Sequence, residues 1–239
     1  MSEPHVANTD LVISHLLLRK LVGLIGMLLP FALLFGNGVF SSASPPESIS
    51  GYYYTDMRSF LVAGLCALGV LLMVYRGYRT MDGVLTNVAG SCVILVALFP
   101  TKPPLAVGQH FTSQQNFLGD LHVIFAAVAF IALGVIALRF AVTRPVSEVV
   151  IHRVCACMIF SSVLLGCLWG LTRADAGLLF VIEVIAMCSS GASWCISGRA
   201  AKAGVPSSMM SGAADSEMMD SGVGRTQINP SGEGMIGAS

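Results

Sequence analysis

Charge is what this chain has least of. Lysine and arginine number 13, aspartate and glutamate 13, so only 11% of the 239 residues are charged and the formal net charge is zero. A soluble domain carries about a quarter charged residues, so an ordinary water-facing surface is excluded. No basic tract is present, which argues against nucleic acid as a partner. Signature stretches of common catalytic sites are missing as well: there is no G-x-S-x-G elbow, P-loop or H-E-x-x-H. Histidines number five, and an intramembrane zinc hydrolase needs about three protein ligands at one depth. Neither a metal nor a cofactor is expected, and no residue is assigned as catalytic. Cys155 and Cys157 form C-x-C, which is not zinc-knuckle spacing. All seven cysteines lie in apolar blocks and read as small buried apolar residues.

What is abundant is apolar. Hydrophobic residues make up 55% of the chain, and the mean hydropathy is +0.78. They fall in continuous blocks without a period of two, which favours membrane helices over a barrel. Six blocks predict spans near 21–40, 59–75, 83–100, 119–138, 154–172 and 176–197. Glycine and alanine recur inside them, as suits close helix approach in lipid. Pro30 predicts a kink in the first. Residues 1–20 read as a cytoplasmic segment, with 11–20 as a short helix at the inner interface. Arg19–Lys20, the apolar run and "SSAS" also fit a leader cleaved after Ala43, a rival reading that leaves five spans.

Lysine and arginine set the threading, because cytoplasmic loops collect them. With the amino terminus inside, inner segments hold Arg19, Lys20, Arg76, Arg79, Arg139, Arg144, Arg153, Arg199, Lys202 and Arg225. Outer segments hold only Arg58, Lys102 and Arg173. Both termini are therefore expected on the cytoplasmic side, in the plasma membrane. Residues 199–239 are rich in Gly, Ser and Met and lack helical or strand period, so a disordered tail is expected.

Ionisable groups inside spans are costly and mark candidate sites. Glu183 lies about seven residues into the sixth span, about 10 Å below its outer end; a carboxyl at that depth needs a partner or a proton. Asp120 and His122 open the fourth span, Asp56 and Arg58 the second, and Arg173 and Asp175 the fifth-to-sixth turn. The threading sends all of them to the outer leaflet. Asp56, Arg58, Asp120, His122 and Glu183 are thus the candidate lining of an outer-leaflet pocket. Asp120 and His122 are two apart and diverge on a helix. Tyr52, Tyr53 and Tyr54 fit the interfacial aromatic belt. Asn87 is placed to donate a hydrogen bond between helices.

Several short motifs carry a resemblance: the loop "SASPPESISGYYYTDMRS", then "VYRGY", the N-x-A-G of Asn87 to Gly90, "ALFPT", and "LH" at the fourth span. Together they resemble a family of six-span bacterial membrane proteins with a domain of unknown function. More loosely, the layout is similar to the DRAM and FGF-receptor-activating-protein group. The resemblance covers residues 20–198 and implies the six-helix layout. The expectation is an all-α, six-helix transmembrane bundle over 21–198. Its role is to bind or organise membrane lipids or a partner membrane protein. The competing class is a lipid-processing enzyme or small-solute transporter using His122 and Glu183.

Overall fold

Long apolar runs become helices, and six form among the described residues of the computed structural model of this chain. They are α1 (Pro4–Phe40), α2 (Arg58–Val74), α3 (Thr80–Leu98), α4 (Ser113–Val142), α5 (Val146–Thr172) and α6 (Ala176–Arg199), with a 3-10 turn η1 (Ser50–Tyr54) before α2. No strand occurs among the described residues, which are 4–41, 44–75, 80–104, 110–142, 146–172 and 176–199. The expected disordered tail and the loop charges Arg76, Arg79, Arg144, Arg173 and Asp175 lie outside them.

Five helices, all but α2, are long and apolar enough to cross a membrane. The protein is a multi-pass integral membrane protein. α2, at 17 residues, is about 26 Å long, a little short of the ~30 Å hydrocarbon core.

The helix limits differ from the sequence expectation in instructive places. α1 runs unbroken from Pro4, so the separate segment expected at 11–20 is the first part of one 37-residue helix. No glycine or proline separates the two parts, and the helix continues through Pro30. α4 starts six residues earlier than expected because Thr112 and Gln115 form a reciprocal capping box. The Gln115 amide N–H donates to Thr112 Oγ1 (3.2 Å), and the Thr112 N–H donates to Gln115 Oε1 (2.9 Å).

The helices pack in chain order around a ring that α1 and α6 close, with the α1–α2 seam the thinnest and α4 touching α6 across the middle. Without a hydrophobic drive between helices in lipid, close backbone approach is a main source of association. Two glycine pairs supply it. A methyl on Gly191 of α6 would fall 2.6 Å from the Gly23 carbonyl oxygen of α1, and one on Gly90 of α3 would fall 2.5 Å from the Gly69 carbonyl oxygen of α2. Outward, α1 presents Leu17, Leu21, Leu24, Leu28, Phe31 and Phe35 as one exposed stripe. That is the face a lipid-bathed helix should show.

Asn87 is exposed on α3, contrary to the expectation that it bonds between helices. The neighbouring Thr86 is the buried group; its hydroxyl donates within reach of the Asp82 carbonyl (3.0 Å) and the Tyr75 carbonyl (3.3 Å). Of the cysteines, Cys92 and Cys155 are buried while Cys157 and Cys167 are exposed on α5, so the buried reading holds for only some of them. None is in a disulfide.

Candidate functional site

The loop after α1 folds back over the bundle end. Ser48 Oγ accepts the Gly51 N–H (2.9 Å), making the tight turn that starts η1. Thr55 Oγ1 donates to the Tyr52 carbonyl (2.9 Å) and closes it. This turn drives Ile49 and Tyr52 into a core of Leu29, Leu33, Met57, Leu61 and Met187. Tyr52 is 0% exposed and meets the Phe180 ring edge-on at 6.5 Å. The tyrosine belt expected from sequence therefore splits. Tyr52 plugs the bundle, and burial pushes its phenol above the ordinary value. Tyr53 and Tyr54 stay nearer the surface, the Tyr54 hydroxyl donating to the Thr101 carbonyl (2.6 Å).

Beside this plug lies a polar chain through four elements. The Ile49 N–H donates to Glu183 Oε2. Ser50 Oγ stands 3.3 Å from Glu183 Oε1 and 3.0 Å from His122 Nε2. His122 Nδ1 is 2.7 Å from the Phe99 carbonyl oxygen. A carbonyl only accepts, so the partners assign the ring hydrogen to Nδ1. His122 is 5% exposed, and Glu183 is partly buried. α4 and α6 thus meet at one serine hydroxyl of the turn, and the residue after α3 holds the imidazole from its other nitrogen.

Of the five candidate residues, the structure joins His122 and Glu183, one hydroxyl apart. The other three stay outside. Asp120 is exposed and pairs with Lys102 at 2.8 Å, on a different face from His122 because the two are two residues apart on α4. Arg58 lies over the Tyr53 ring at 4.2 Å and donates to its hydroxyl at 2.6 Å. Asp56 is exposed. Ser50 was not singled out by sequence reasoning. A serine in a polar loop gives no signal.

Below the polar chain, the same faces of α4 and α6 continue into an apolar cavity of about 70 Å³. Gly26, Leu65, Val96, Phe130, Met187 and Ser190 are among its walls. Met187 and Ser190 follow Glu183 at i+4 and i+7, and Ala129 and Leu133 follow His122 at i+7 and i+11. The polar chain and the apolar cavity thus occupy successive depths of the same two helices.

No family model matches this chain, and neither a curated protein nor a solved structure is similar to it. The site must be read from its own geometry.

A second cluster at the opposite bundle end was also missed. Arg19, read from sequence as a positive flank, is 3% exposed. Its Nε donates to the Tyr75 hydroxyl (3.0 Å) and its NH1 to the Ser197 carbonyl (3.1 Å). Tyr75 and Phe140 meet Trp194 edge-on at 5.0 and 5.3 Å, and the guanidinium lies 5.4 Å from the Phe140 centroid. His152, 0% exposed, bonds Ser193 Oγ at 2.9 Å. Nearby on α3 and α4, Asp82 pairs with Arg139. These groups lie in α1, α2's C-cap, α4, α5 and α6, so the cluster reads as a clamp on the ring.

Proposed function

We propose that this chain is a six-span plasma-membrane protein that binds an amphiphilic lipid, or organises a partner membrane protein through it, at the η1 end of the bundle. α2 is the sixth span, and both termini are cytoplasmic. The placement of Arg19, Lys20, Arg139 and Arg153 toward one end, and of Arg58 and Lys102 toward the other, supports that threading. Ten basic residues against three across the whole chain give the same orientation. The η1 end is then the outer leaflet.

One observation carries the lipid reading. The Glu183–Ser50–His122 chain lies directly above the apolar cavity, along shared faces of α4 and α6. A polar head hydrogen-bonds at the mouth, and the adjoining alkyl chain enters below. Pockets for such ligands are mostly apolar, with a few convergent polar groups.

The test uses a photoactivatable phospholipid in membranes containing the full chain. Wild type should crosslink within α4 or α6. Ala129→Leu, which fills a cavity of this size without touching the polar chain, should lower the yield severalfold. Equal yield from the two would sink the reading. The threading is checked by maleimide labelling from outside: a cysteine at Ser44 or Thr112 should react and one at Ser207 should not. Outside labelling of position 207 refutes the cytoplasmic tail.

A further inference from the structure

We propose that Ser50 is a nucleophile toward acyl esters of membrane lipid, with His122 as its general base. The inference rests on the lipid-binding reading and names the substrate class of that same site.

The geometry has the parts that activated hydroxyls need: a nucleophile in hydrogen-bond reach of a base, and a third group orienting the base. Ser50 Oγ is 3.0 Å from His122 Nε2. The Phe99 carbonyl, 2.7 Å from Nδ1, holds the ring in the tautomer whose Nε2 lone pair faces the serine. Neutral imidazole can then take only one role toward Ser50, that of proton acceptor. Ser50 itself is partly exposed, whereas His122 behind it is buried. That is the order an acyl carbonyl approaching from the lipid requires. Glu183 is a positioning residue. By accepting the Ile49 N–H it seats the residue preceding the nucleophile. Its Oε1, 3.3 Å from Ser50 Oγ, is the longer of the two acceptors for the serine proton, His122 Nε2 at 3.0 Å being the shorter.

The adjoining cavity takes the first carbons of the acyl chain.

In the reaction, Ser50 Oγ bonds to the acyl carbon while its proton moves to His122 Nε2. The ester C–O bond breaks, and Nε2 returns that proton to the leaving alcohol. Water then attacks the acyl-serine, gives a proton to Nε2, and Ser50 Oγ recovers it as the fatty acid leaves. The sum is ester plus water to acid plus alcohol.

The experiment treats the purified full chain with a long-chain fluorophosphonate and maps the adduct by peptide mass. Ser50 Oγ should displace fluoride and carry the phosphonyl group. Ser50→Ala should abolish labelling, and His122→Ala should slow it about a hundredfold, the contribution of a general base. Glu183→Ala, which removes the acceptor of the Ile49 N–H, should slow labelling, and Glu183→Gln, which restores an acceptor there, should recover part of the loss. Ser59→Ala, on the exposed start of α2, should label like wild type. Mapping on the wild-type chain keeps the proposal falsifiable should a variant misfold: an adduct at any residue other than Ser50 overturns it. Wild type that crosslinks phospholipid but never reacts overturns the nucleophile and leaves lipid binding standing. If neither occurs, both readings fall.

Discussion

Glu183→Ala is expected to release η1 from the bundle. Amide hydrogen exchange across residues 47–55 should accelerate strongly, while α6 away from the site stays protected. The reason is that Glu183 accepts the Ile49 N–H, and Ile49 is only 4% exposed. Truncation leaves that donor without its acceptor in a place water reaches poorly, a loss of about 1–3 kcal/mol. The Ser50 hydroxyl loses one of its two partners at the same time. Ile49 and Tyr52 share a core with Leu29, Leu33 and Leu61, so loosening the turn also unseats the tyrosine. Glu183→Gln separates shape from charge. Its amide oxygen accepts the Ile49 N–H and its amine donates to Ser50, so exchange should stay near the wild-type rate. Unchanged exchange in the alanine variant would show that η1 is held by Tyr52 alone.

The second large effect is expected at the α1–α6 crossing. Gly191→Ala should lower thermal stability in detergent by the cost of overpacking, about 1–3 kcal/mol, and Gly191→Leu should yield no monodisperse protein. The added methyl would meet the Gly23 carbonyl oxygen at 2.6 Å and the Met27 amide nitrogen at 2.9 Å. Both are backbone atoms, so no side chain can swing away and the two helices must part. Gly23→Ala meets the same contact from the other side, and the double variant should cost less than the sum of the singles. Gly166→Ala is the control. Nothing lies within 4 Å of a methyl there, and alanine is the better helix former by about 1 kcal/mol. If Gly191→Ala and Gly166→Ala melt together, close packing at this crossing contributes nothing.

The contrast between these two sites explains how much could be read from sequence. All six helices were legible, since each apolar block is long and continuous. Glu183 and His122 were legible as well, because a carboxyl and an imidazole inside apolar runs need a reason to be there. Ser50 was not, for its meaning comes from a turn that brings a loop onto α4 and α6. Asp120 misled by adjacency: two residues from His122, it points elsewhere and takes Lys102. Arg19 misled differently. Its place beside Lys20 at the start of an apolar run looked like a flanking charge, yet tertiary packing encloses it with Tyr75 and the Ser197 carbonyl. Gly191 and Gly23 carried a weak signal in composition, but their pairing across 168 residues was not readable from one sequence.

The ring has an order of assembly written into it. The helix that α1 touches most is α6, so α1 meets its principal partner only after the four helices between them have been made. Until then Arg19 has no Ser197 carbonyl to bond, and Gly23 presents a bare notch to lipid. Middle helices pair with the neighbour just synthesised, and local contacts of that kind form quickly. Closure is the late, long-range step. A ribosome that stalls before residue 176 leaves an open five-helix arc in which Arg19 keeps Tyr75 but lacks the Ser197 carbonyl, and the Gly23 notch of α1 stays uncovered.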